Sequence, residues 1–318
     1  MKRLLCILLL LSFLMPMLFS CRKDDTEIRV GVLSGPTALG MLALMEEENP
    51  QYLFEAPYTS PDLILGDITS GKLDIAALPT NNAAMLYNRG TDIKVIALNT
   101  LGVLHLLDST GTVTELDDLA GKTVYVPNAG SNPEYVVRHL LREKGISANV
   151  DISIVQPAAL QTAFLSGSAP IVVLPQPAAT ATAKNAEAQG KTVTSLDLSL
   201  AWSEISDTPM VQGCLVANAT FLEKHPRAVE AFLDEYEASV AYMTAPENLD
   251  AAANLAVAHG IIPKPQLAKL AIPKCAITYV DGREMKDALS AFYDVLGSHS
   301  LASIGGKLPD DDFYYHGK

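Results

Sequence analysis

Cysteine is scarce in this chain, tryptophan occurs once, and basic residues fall well short of acidic ones. The 318 residues hold four cysteines, 6% aromatics, and 23 Lys plus Arg against 36 Asp plus Glu. So few cysteines exclude a fold held by a disulfide framework, so a hydrophobic core must stabilise the chain. The basic deficit excludes nucleic acid as a partner, because a phosphate backbone is bound largely through Lys and Arg. The histidines stand singly at His105, His139, His225, His259, His299 and His316. None has the spacing of a zinc ligand set, so neither a metal nor a cofactor is expected. Past residue 21 no apolar stretch approaches the roughly 18 residues of a membrane span.

One long apolar run is present, at the start. Residues 1–21, MKRLLCILLLLSFLMPMLFSC, place Lys2 and Arg3 before the run and Ser20 after it. A basic lead, a short apolar segment and a small residue before a cut site make a secretory signal. Leu18-Phe19-Ser20-Cys21 resembles the bacterial lipobox, although Phe19 departs from the small or β-branched residue usual there. That resemblance implies cleavage before Cys21 and lipidation of its thiol, with an ordinary secretory signal and a chance cysteine as the alternative. Residues 1–20 are then the signal peptide and 21–27 a charged tether. The remaining 298 residues carry a formal charge of −15, since the signal takes Lys2 and Arg3 and no acid. Their length suits roughly two domains of ordinary size. Cys214 and Cys275 remain in the folded part and read as separate buried thiols, with a disulfide between them as the other option.

Beyond the tether, strand-like and helix-like segments alternate, the pattern of an α/β fold with a largely parallel sheet. Strands are expected at 28–33, 52–56, 75–78 and 95–98. A helix is expected through Ala38, Leu39, Leu42 and Met45, and others over 61–70 and 81–88. Two short passages repeat at an offset of 96 residues: Ser70-Gly71-Lys72-Leu73-Asp74-Ile75-Ala76-Ala77-Leu78-Pro79 and Ser166-Gly167-Ser168-Ala169-Pro170-Ile171-Val172-Val173-Leu174-Pro175. Each runs into an alanine-rich helix ending near glycine. A second pair, around Gly31–Pro36 and Tyr125–Pro133, has nearly the same offset. Two similar α/β lobes sharing an edge are the simplest geometry, and convergent strand-to-helix grammar is the alternative. From Asn218 onward the chain turns helical, with Val229, Phe232, Leu233, Tyr236, Val240 and Met243 on one face. A helix-rich end without its own sheet should pack back on the first lobe.

The strand-to-helix junctions carry the polar residues. Gly35-Pro36-Thr37-Ala38-Leu39-Gly40 has P-loop glycine spacing, but Met41 and Leu42 replace the lysine and hydroxyl that NTP hydrolysis needs. What is left is a turn offering backbone N–H groups and the Thr37 hydroxyl at a helix start. Thr80, Asn81 and Asn82 follow Pro79 at a similar junction. Asn128, Gly130, Ser131 and Asn132 form a third, and Gln176 stands between Pro175 and Pro177. Helix capping is the plain structural use of all of them. Asp207-Thr208 before Pro209 fits either a turn or a cleft. None of the four junctions contains Lys, Arg, His or Cys, so general acid–base and nucleophilic catalysis lack a candidate. Neutral hydrogen bonding suits reversible recognition of a small solute.

Val30–Gly40, Pro79–Gly90, Phe221-Leu222-Glu223-Lys224-His225-Pro226 and Gly305–Tyr315 together resemble the substrate-binding proteins of bacterial ABC importers. The nearest group is the nitrate/sulfonate/taurine/thiamine-precursor (NMT1/THI5-like) class. The resemblance implies a type II periplasmic-binding-protein fold: two α/β lobes around a ligand cleft, with a helical C-terminal part on lobe 1. It divides the chain into lobe 1 at 28–103, lobe 2 at 104–212 and a return to lobe 1 at 213–318, with crossovers near 99–105 and 211–216. Carried over by position, Gly35–Thr37 and Thr80–Asn82 contact ligand from one lobe, and Asn128–Asn132 and Gln176 from the other. The implied protein is a monomeric, non-enzymatic receptor, lipid-anchored outside the bacterial cell membrane, that hands a small solute to an ABC permease. A pyrimidine-precursor-synthase-like enzyme on the same fold and a signalling or adhesive surface lipoprotein are the alternatives.

Overall fold

The computed structural model describes residues 26–317 except 48, 60 and 128, with Pro61 by its backbone alone. The signal at 1–20, Cys21 and most of the tether, and Asn128, lie outside the described residues. The first sheet is built from β1 (Ile28–Val32), β2 (Tyr52–Phe54), β3 (Ile75–Pro79) and β4 (Ile93–Thr100). Between them run α1 (Pro36–Leu39), α2 (Leu42–Glu46), α3 (Pro61–Thr69) and α4 (Thr80–Asn88). The single helix expected through Ala38 and Met45 is therefore two. Ser239, from a later helix, causes the break: its hydroxyl donates to Gly40 O at 2.7 Å and accepts from Leu44 N at 3.1 Å. A side chain inserted between an i carbonyl and an i+4 amide replaces one rung of the helical ladder.

The chain then enters a second sheet through β5 (Leu104–Asp108), followed by β6 (Thr123–Tyr125), α5 (Asn132–Glu143) and β7 (Asn149–Asp151). Next come α6 (Pro157–Ser166), β8 (Ile171–Pro175), α7 (Ala178–Ala188), β9 (Thr194–Asp197) and α8 (Leu198–Ser203). It returns to the first sheet with β10 (Gly213–Asn218). The strand orders are β11-β4-β10-β3-β1-β2 and β7-β6-β8-β5-β9, where β11 is the late strand Ile277–Val280. Read from the opposite end, the second order is β9-β5-β8-β6-β7. It matches β4-β10-β3-β1-β2 strand for strand. The two repeated passages thus end in β3 and β8, which hold equivalent positions.

The sheets are mixed rather than largely parallel. β1 runs parallel to β2 and β3, and β6 to β7 and β8. β10 is antiparallel to β3 and β4, β11 to β4, and β5 to β8 and β9. The reason is the route between sheets. β5 enters beside the end of β8, with Leu104 opposite Pro175, and β10 enters beside the end of β3, with Gly213 opposite Pro79. A strand that starts beside its neighbour's end must run the other way.

The helical end consists of α9 (Ala219–Lys224), α10 (Pro226–Thr244), α11 (Leu249–Ala258), α12 (Pro265–Ala271) and, after β11, α13 (Gly282–His299). The expected face of α10 is buried: Val229, Phe232, Leu233, Tyr236, Val240 and Met243. It packs on the first sheet with Val30, Ala77 and Leu215. α13 does more than was expected. Phe292 packs 5.8 Å from Trp202 of α8, and one core runs from Leu98 through Phe292 to Val137 and Leu140 of α5. Cys214 and Cys275 are separate buried thiols, and burial pushes both thiols well up, so each stays neutral.

Candidate functional site

The carboxyl ends of β1, β3 and β4 in the first sheet face those of β6 and β8 in the second. Side-chain bonds cross between them. Asn132 Nδ2 donates to Thr80 Oγ1 at 2.8 Å and to the Gln212 carbonyl at 3.3 Å. Asn81 Nδ2 reaches the Gly130 carbonyl at 3.4 Å. Ligands of open α/β sheets bind in this crevice outside the strand ends.

Most of the junction residues are drawn together here, and their local roles differ from simple capping. The N-cap of α4 is Pro79 and makes no side-chain bond, so Thr80, Asn81 and Asn82 are the first three helical residues. Thr80 is fully buried, and its carbonyl accepts from Tyr293 Oη at 2.8 Å. Asn82 is half-buried, and its side chain makes no hydrogen bond to the described residues. Gly35 has φ 130° and ψ −151°, a conformation essentially restricted to glycine. It turns the chain into Pro36, while the Thr37 hydroxyl donates to Leu33 O at 3.0 Å. With only four residues, α1 has too few aligned peptides for the dipole expected of it.

In the second lobe the turn is already engaged. The Gly130 N–H donates to Glu134 Oε2 at 2.7 Å, and Arg138 Nε donates to the other oxygen at 2.8 Å. Ser131 Oγ donates to Pro127 O at 3.2 Å. Gln176 is 1% exposed, and its Oε1 accepts from Thr180 N at 3.2 Å and Thr180 Oγ1 at 2.7 Å. One free amide in the first turn of α7 is thereby satisfied, and Nε2 is the end of the Gln176 amide left over. Asp207 and Thr208 do not join these residues. They line a separate groove of about 530 Å³ with Leu98, Leu101 and Arg283, which answers for the turn rather than the cleft.

Asn99, Thr100 and Gln212 form the floor of the crevice, and His105 is a further buried polar residue where the chain enters the second sheet. Asn99 Oδ1 and Nδ2, Thr100 Oγ1, His105 Nε2 and Asn132 Oδ1 are buried without a hydrogen-bond partner. Such orphaned groups are rare in folded proteins and each costs free energy unless something else pairs it. Gly213 completes the floor, because a Cβ there would collide with Asn99 Oδ1 and lie 2.8 Å from Thr37 Cγ2. Burial holds the His105 imidazole below its ordinary range, with Asp197 opposing that shift and Lys274 adding to it. In the sequence Asn99-Thr100 and His105 show only as polar residues in otherwise apolar strands, at the end of β4 and near the start of β5.

The family model described as NMT1/THI5 like matches residues 56–248. Among solved structures, an ABC transporter from Parabacteroides distasonis superposes with a TM-score of 0.77 at 26% identity, over 92% of this chain and 100% of that one. The periplasmic aliphatic sulphonate binding protein SsuA from Escherichia coli gives 0.72 at 16% identity, over 92% of each chain. The ligand-binding component of an ABC-type import system from Staphylococcus aureus gives 0.67 at 16% identity, over 91% and 96%. No curated protein matches the sequence.

Proposed function

Because the chain belongs to the NMT1/THI5-like family, we propose that it is the solute receptor of an ABC importer, captured solute passing from its cleft to a membrane permease. Residues 1–20 are its signal peptide, and Cys21 carries the lipid that tethers a monomer outside the cell membrane. Lobe 1 comprises 28–103 and 213–318, and lobe 2 comprises 104–212. The contacts come from Gly35, Pro36, Thr37, Thr80, Asn81 and Asn82 on one side, and Asn128, Gly130, Ser131, Asn132 and Gln176 on the other. One observation carries this reading: two facing strand-end edges joined by Asn132 and Thr80, with unpaired buried polar atoms on the floor between them. A ligand held by both edges favours the closed arrangement, because only there does it meet both sets of groups.

Two measurements test the parts separately. Titration calorimetry against a solute panel should give one tight ligand, weakened about tenfold by Asn82→Ala, the loss of roughly one hydrogen bond. Unaltered affinity would remove Asn82 from the site. In cells, Cys21→Ser should shift the protein from the membrane fraction to the soluble one and abolish incorporation of labelled palmitate. Retention in the membrane without that cysteine would refute the anchor.

A further inference from the structure

Resting on that reading of the cleft, we propose that the ligand's buried end is uncharged and offers a paired donor and acceptor, as a carboxamide or lactam edge does. Asn99 is the residue that reads this edge. It is 1% exposed, both its amide atoms lack partners, and it stands against Thr37 and Gly213 on the cleft floor. An amide with donor and acceptor both free matches a group carrying one of each in the same plane.

The rest of the floor has the same character. Asn132 presents its oxygen, because its nitrogen is fixed by donating to the Gln212 carbonyl. Thr100 Oγ1 can serve either way. A sulfonate has acceptors only. It would set negative oxygens against the amide oxygens of Asn99 and Asn132, and taking it out of water would need charge-assisted donors. In the turn before α5, the Gly130 N–H already serves the Glu134 carboxylate. Arg138 is drawn to that same carboxylate. The charges that face His105, Asp197 and Lys274, are of opposite sign. A carboxamide or lactam edge instead pairs both amide atoms of Asn99, its donor with Oδ1 and its acceptor with Nδ2.

The test is calorimetry with nicotinamide and hypoxanthine as neutral probes, against ethanesulfonate and taurine. At least one neutral probe should bind 100-fold more tightly than either sulfonate. Asn99→Leu should cost that probe at least tenfold in affinity while raising the Tm of the ligand-free protein, because it removes an unpaired buried amide. A framework role for Asn99 would instead lower Tm. A lowered Tm or an unchanged affinity therefore overturns its assignment as the reader of the ligand. Preference for the sulfonates overturns the ligand class and leaves solute capture standing. Binding of neither set overturns the ligand class, while solute capture stands or falls on the wider solute panel.

Discussion

Replacing Asp108 with alanine should destabilise the chain by about 3–5 kcal/mol, measured as a fall in the urea midpoint at constant slope. Asp108 ends β5 and is 0% exposed. Its carboxylate accepts from Thr110 N and Oγ1 at 2.7 Å each, from Thr112 N at 2.8 Å and from Val113 N at 2.9 Å. Alanine would leave the Thr110 and Val113 amides without an acceptor, and Thr112 N with only its 3.3 Å bond to Thr110 Oγ1, where the chain turns out of the second sheet. Each buried orphan costs about 1–3 kcal/mol, less where water can reach it.

The same residue sets a pH dependence whose sign follows from its surroundings. Burial pushes the carboxyl up, but the bonds from Thr110, Val113 and Thr112 outweigh it and hold the group below the ordinary value of 3.8. A depressed folded-state pKa means the stabilisation is full above that ordinary value and drains as pH falls through the lower one. Stability should therefore hold steady through this group down to about pH 5 and drop below pH 4. Asp108→Asn, which cannot titrate, should lose that part of the acid-side fall. An acid limb identical to that of the parent would mean that Asp108 does not control it.

The second large effect is expected at Phe292. This ring is 0% exposed and lies 5.8 Å from Trp202, in the core that α13 shares with the second sheet. Phe292→Ala removes a buried aromatic and leaves a cavity, at a cost of about 3–5 kcal/mol. Combining it with Trp202→Ala should cost less than the sum of the two, since each removes contacts made by the other. Strict additivity would show that the two rings do not share a packing unit. A loss under about 1 kcal/mol for Phe292→Ala alone would mean that the site collapses around the smaller side chain.

How far these features could be read in the sequence depended on whether they were local. The units β3–α4 and β8–α7 were legible because a short apolar run, a proline and an alanine-rich stretch ending in glycine are neighbours in the chain. The junction residues Thr80, Asn81, Asn132 and Gln176 were legible for the same reason. The break between α1 and α2 was not, because its cause is Ser239, nearly 200 residues away. The reversal of β5 and β10 was likewise hidden, since alternation of apolar residues carries no strand direction. Asn99, Thr100 and His105 escaped because they lie within strands, where a polar residue in an apolar run marks no junction. Their meaning depends on what stands opposite, and only the folded chain brings Thr37, Gly213 and Asn132 into place.

The passages between the sheets are pinned to each other and to their neighbours by backbone bonds. Gln212 N donates to Thr100 O at 2.9 Å, Gln176 N to Val103 O at 2.9 Å, and Leu101 N to Ala276 O at 3.0 Å. Short passages pinned by backbone bonds resist sliding of one sheet past the other. In the receptor role proposed above, that constraint would bring Asn132 back to Thr80 at each closing and offer a solute the same spacing of donors and acceptors.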